Sequence, residues 1–198
     1  MMDNGNLLMP EDDTPARADA RRNRERLLQT AQKLFDADGV EAVSMTAIAE
    51  AAGVGKGTLY RHFANKTDLC HALLDEDMQT LQERVLLHLR DHHAESPQVR
   101  LKWFLAVVFE FVLRNEDLLL VESDLALDHV AHLWWRQTIG GLLHQATPGG
   151  DVRYATDVLY IMLDVRTIRF QRDTVGLDAD AILSGLQATA GRLIGLPG

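Results

Sequence analysis

Between Lys56 and Lys66 the chain concentrates side chains that hold anions: Lys56, Thr58, Tyr60, Arg61, His62 and Lys66, with Gly57 among them. These are hydrogen-bond donors or small groups. Donors of this kind satisfy phosphate oxygens, and Lys or Arg also reaches the edge of guanine. Gly55 and Gly57 let a backbone come close to a ligand, and a helix N-terminus adds a field that favours phosphate. The chemistry implied is recognition of a nucleic acid, not bond making.

The obvious competitor for Gly53-Val-Gly-Lys-Gly-Thr58 is a nucleotide-binding loop. Such a loop needs glycine five positions before its Gly-Lys pair and Ser or Thr directly after the lysine. Glu50 and Gly57 stand there instead, and no strand pattern precedes. Elsewhere, His88 with His92 and His129 with His132 have the helical spacing of a metal pair. Neither pair has cysteine or carboxylate partners in a clear pattern, so both read as solvated helix faces. The sequence calls for no catalytic residue, no metal and no cofactor.

A net charge of −9 argues at first against a nucleic-acid partner, but DNA feels only the face it meets. From Ala16 to Lys66 nine basic side chains stand against six acidic ones, a local net of +3. The pattern is a basic head on an acidic body. One cysteine, Cys70, leaves no intrachain disulfide, and a reducing compartment, the cytoplasm, is expected. No apolar run is long enough for a membrane span, and the acidic, polar start reads as a disordered leader over residues 1–17.

Helices must position the donors. Leu27, Leu28, Ala31, Leu34 and Phe35 recur at helical spacing from about Ala18 to Ala37, and Gly39 stops that helix. Ser44 caps a short helix over Met45–Ala52 with Met45, Ile48 and Ala49 inward. Gly53-Val54-Gly55 makes the turn into a second short helix, Lys56 to Phe63, with Leu59 and Phe63 inward. Two such helices behind a longer one form the smallest scaffold that lodges a helix in the major groove. Asn65 with Asp68 opens a long helix to about His92. Further runs follow over Gln98–Arg114, Asp117–Asp124, Asp128–Ala146, Asp151–Arg172 and Asp178–Ile194, with no strand pattern and no repeat.

The run from Met45 through Thr58-Leu-Tyr-Arg-His-Phe63 to Asn65-Lys-Thr-Asp-Leu69 strongly resembles the DNA-binding signature of the TetR family of bacterial repressors. The match reaches back through Arg24 to Phe35 and covers about a quarter of the chain. The resemblance implies that Lys56, Gly57, Thr58 and Arg61 lie nearest base edges and that Tyr60, His62 and Lys66 clamp phosphates. Ser44 and Thr46 would touch the DNA backbone from the preceding helix. Thr46 and Ala47 stand where some members carry a longer base-reading side chain, so specificity here would rest more on the second helix.

The expected architecture is all-α: a three-helix helix-turn-helix domain over residues 18–66, then a larger helical ligand-binding and dimerisation domain over 67–198. The resemblance implies a homodimer on a palindromic double-stranded operator, released by a small-molecule effector. Paired reading heads spaced by helical turns of about 34 Å would match such a palindrome. The last two long helices would supply the seam through Val158, Ile161, Met162, Val165, Ile168, Ile182, Leu183, Leu186, Ala190 and Leu193, with packing inside one subunit as the alternative for any of them. A pocket needs an apolar wall and a few converging polar groups. Trp103, Phe111, Trp134, Arg166 and Arg169 are the candidates, with Asp124, Asp128 and Asp164 nearby in sequence, and core packing or surface ion pairing is their alternative. A second version keeps the DNA-binding dimer and gives the body a protein partner or no ligand. No membrane partner is expected.

Overall fold

Leu27, Leu28, Ala31 and Phe35 are buried along one side of the first helix, as their spacing predicts. In the computed structural model, which describes residues 15–121 and 130–195, this helix is α1 (Pro15–Asp38). It opens three residues before the expected Ala18, and proline is well suited to a first helical position. The expected leader up to residue 14 lies outside the described residues. So do Asp124, Asp128, His129 and the side chain of His132.

Gly39 ends α1 at φ +80°, with its N–H on the Phe35 carbonyl at 2.9 Å. Ser44 caps α2 (Met45–Ala51), its Oγ accepting from the Ala47 N–H at 3.1 Å. A cap of this type contributes about 1 kcal/mol. Gly53 turns the chain at φ +66°, a conformation that disfavours any side chain with a Cβ. Gly55 then leads into α3 (Lys56–His62). Ile48 and Ala49 from α2 and Leu59 and Phe63 from α3 join the α1 residues in one core. Asn65 opens α4 (Lys66–Asp91): its Oδ1 accepts from the Asp68 N–H at 2.8 Å, and Asp68 accepts from the Ala64 N–H at 3.2 Å.

The chain divides into two compact units, one ending at Leu69 and the other beginning at Cys70. In the second, α5 (Pro97–Arg114) is the central element, capped by Ser96 and burying Leu101, Phe104, Leu105, Val108, Phe111 and Val112 among others. It packs against α7 (Val130–Ala146) and α10 (Ala179–Ile194), and α8 (Arg153–Met162) completes the bundle against both. Edge-to-face aromatic pairs join α5 to α7: Phe111 with Trp135 at 5.7 Å and Phe104 with Trp134 at 5.8 Å. The short α6 (Glu116–Val121) lies on α9 (Val165–Asp173). Every regular element among the described residues is helical.

Two expectations need correction. The single helix over Asp151–Arg172 is two helices, α8 and α9. Asp164 caps α9 by accepting from the Arg166 and Thr167 N–H groups at 2.9 and 3.2 Å, while fully buried Leu163 anchors the break. Aspartate competes for free N–H groups and so favours a helix start over a helix interior. Secondly, Ile168, Ile182, Leu186 and Ala190, offered for a seam, are buried within the subunit. The apolar side chains left outward on α8 and α9 include Tyr154, Ile161 and Phe170.

Candidate nucleic-acid interface

Helix α3 is a two-sided element. Leu59 is fully buried, and Phe63, its C-cap residue, is 3% exposed. On the other side Lys56, Gly57, Tyr60 and Arg61 are exposed, Tyr60 by 50%, while Thr58 and His62 are half-buried. The buried pair fixes the helix to its domain, so the donors are held on a rigid surface.

Arg61 folds back along its own helix. Its Nε donates to the Gly57 carbonyl at 3.3 Å and a terminal nitrogen donates to Thr58 Oγ1 at 3.1 Å. Both contacts are exposed and local, so a stronger acceptor would displace them at small cost. Gly57 has no packing reason to be glycine, since a Cβ built there meets nothing within 4 Å, and the same holds at Gly55.

The preceding elements contribute less. Ser44 is exposed but already accepts from Ala47 as the cap of α2, leaving its hydroxyl proton free to donate. Thr46 is half-buried on the first turn of α2. Lys66 departs from the expected phosphate clamp. Its Nζ donates to the carbonyls of Val40, Glu41 and Val43 at 2.6, 3.2 and 2.9 Å. An ammonium has three N–H donors, and these carbonyls occupy them. Lys66 ties the loop after α1 to the start of α4, a role that local spacing does not reveal. Sequence reasoning also missed Arg24, whose guanidinium carbon stands 5.4 Å from the Phe63 ring centroid. Its register with Leu28 was the available signal.

The five pocket candidates in the second unit have separate neighbours. Trp103 stacks on His88 with centroids 3.5 Å apart, and His88 stacks on His92 at 3.9 Å. Phe111 is buried against Trp135, and Trp134 meets Phe104. Arg166 is exposed at the start of α9. Arg169 lies 3.8 Å from Glu116 and 3.3 Å from Asp173. Beside it Arg172 grips both carboxylate oxygens of Glu116, at 2.6 and 2.8 Å, a clamp between α9 and α6. That hydrogen bonding, with a further bond to Asp173, raises the Arg172 pKa. The rings of His88 and His92 lie face on face instead of converging on a shared point. Burial, then the charges of His92 and Arg84, lower the His88 pKa against the pull of Glu95 and Asp91. Among the described residues no group of three or more potential metal ligands occurs, and no helix is long and apolar enough to cross a membrane.

Residues 27–73, from the buried half of α1 through α3 into α4, match the family described as bacterial regulatory proteins, TetR family. A helix-turn-helix-type transcriptional regulator of Staphylococcus aureus strain USA300 is 41% identical over 105 residues, covering 52% of this chain and 55% of the relative. The chain thus spans about half the length of the curated relatives it matches. Over nearly the whole chain the fold is that of a transcriptional regulator from Saccharomonospora viridis solved with choline, with a TM-score of 0.68 at 22% identity, over 85% of this chain and 95% of that one. A gamma-butyrolactone receptor structure aligns with a TM-score of 0.52 at 25% identity, over 89% and 98% of the two chains. The helix-turn-helix segment over residues 27–73 thus matches the TetR family of bacterial regulatory proteins, and the chain shares the fold of these solved regulators.

Proposed function

We propose that this protein is a cytoplasmic transcriptional repressor that binds a palindromic operator as a homodimer and leaves it on binding a small-molecule effector. One observation carries the DNA reading: α3 buries Leu59 while exposing Lys56, Gly57, Tyr60 and Arg61 on its other side. Lys56 and Arg61 take base edges, Gly57 and Thr58 allow close approach, and Tyr60 and His62 hold phosphates. Ser44 and Thr46 add backbone contacts from α2.

Dimerisation uses the outward apolar residues of α8, where Tyr154, Val158 and Ile161 follow helical spacing. Release requires an effector that binds the DNA-incompetent arrangement more tightly than the competent one. Effector binding is supported by structures of the same fold: one transcriptional regulator was solved with choline, and another is a gamma-butyrolactone receptor.

The test is selection of bound fragments from random duplex DNA, followed by binding of Tyr60→Phe and Lys56→Ala to the selected operator. Tyr60→Phe should weaken binding to all sequences, whereas Lys56→Ala should cost about 1–3 kcal/mol at particular base pairs and relax preference there. Parent-like binding by both variants would overturn the assignment of α3.

A second reading keeps the DNA-binding dimer and gives the body a protein partner or no ligand. It is favoured by the engagement of Trp103, Phe111, Trp134 and Arg169 with neighbouring side chains. Thermal-shift screening against a metabolite panel separates the two readings.

A further inference from the structure

Five arginines stand within ten residues, Arg17 to Arg26, on a stretch of α1 where no side chain is buried. Burial begins only at Leu27. Residues 17, 21, 24, 28, 31 and 35 follow one another at alternating steps of four and three, so they form a single stripe along the helix. At Leu28, Ala31 and Phe35 that stripe is apolar and packed into the domain core. At Arg24, Arg21 and Arg17 it is arginine.

The change occurs at a specific place. Arg24 lies over the ring of Phe63, the residue that ends α3. From there the row runs back along α1 for about 10 Å, at 1.5 Å per residue. Asp19, Arg22 and Arg26 belong to the opposite face, where Arg22 pairs with Asp19. The flanking Glu25 stands 4.0 Å from Arg21, with both side chains more than half exposed. Exposed pairs of this spacing contribute only tenths of a kcal/mol, so a phosphate displaces them readily. A guanidinium presents a planar fork that matches phosphate oxygens in pairs.

We propose that Arg17 and Arg21, in line with Arg24, hold the phosphate backbone of the duplex next to the segment that α3 reads. The partner is DNA because the row starts beside the residue that ends α3 and is opposite in charge to a phosphodiester chain. This inference rests on the DNA-binding reading above.

The experiment is a salt titration of binding to operator fragments selected by the parent protein. Three double variants are compared with it: R17A/R21A, R17K/R21K and R22A/R26A. Each neutralised phosphate contributes about 0.9 to the slope of log K against log salt, so R17A/R21A, which removes two arginines from each subunit of the dimer, should lose about 4 from that slope. R17K/R21K should keep the parent slope because charge is retained. R22A/R26A removes the same charge from the opposite face and should also keep it. Alanine is the strongest helix former, so α1 persists in both alanine variants. A parent-like slope for R17A/R21A, or an equal loss in R22A/R26A, would overturn the proposal. Failure of the parent to select any fragment would instead remove the DNA-binding reading and this one with it, and the parent arm alone reveals that.

Discussion

Lys66 Nζ stands 2.6 Å from the carbonyl oxygen of Val40, twenty-six residues earlier in the chain, and the same ammonium reaches the carbonyls of Glu41 and Val43. The loop between α1 and α2 has no ladder to satisfy its carbonyls, and one half-buried lysine serves three of them. Lys66→Met keeps the aliphatic stem and removes the donors, and should lower stability by about 1–3 kcal/mol in urea unfolding. Its salt slope of DNA binding should match the parent. A slope lower by about 2 for the dimer at unchanged stability would make Lys66 a phosphate ligand.

Gly57 offers the converse experiment. Glycine within a helix costs up to about 1 kcal/mol relative to alanine, and an added Cβ meets nothing within 4 Å. Gly57→Ala should therefore raise the melting temperature and, on the proposed placement of α3 in the groove, weaken operator binding, because the new methyl group would meet the duplex. Unchanged binding would separate Gly57 from the interface.

The clamp of Arg172 on Glu116 joins segments 56 residues apart, and Glu116 is only 16% exposed. Glu116→Gln keeps the shape and removes the charge. It should destabilise the fold by about 1–2 kcal/mol, since hydrogen bonds between charged groups exceed neutral ones. Hydrogen exchange over α6 and α9 should quicken selectively, and uniform exchange would count against a local clamp.

His88 predicts a pH effect. Its folded pKa lies below the ordinary 6.5 because burial and the charges of His92 and Arg84 disfavour the cation. Below pH 6.5 the unfolded chain therefore binds more protons at this site than the folded one. The stability contributed by neutral His88 is present above pH 6.5 and is lost as pH falls towards the folded value. His88→Gln should flatten the melting temperature between pH 7 and pH 5. An equally steep loss in the variant would assign the effect to other groups.

Local pattern alone determined the helix-turn-helix: the apolar stripe of α1, the Ser44 cap, the Gly53 turn and the inward Leu59 all act within a few residues of one another. The Asp164 break was written locally too, but the apolar spacing across Val158, Ile161 and Val165 masks it. Tertiary structure decided which atoms occupy the Lys66 ammonium, which apolar residues of α8, α9 and α10 fill their own core, and which arginine Glu116 holds. Those outcomes depend on partners many residues away, and short-range periodicity records a residue's face without recording what that face meets.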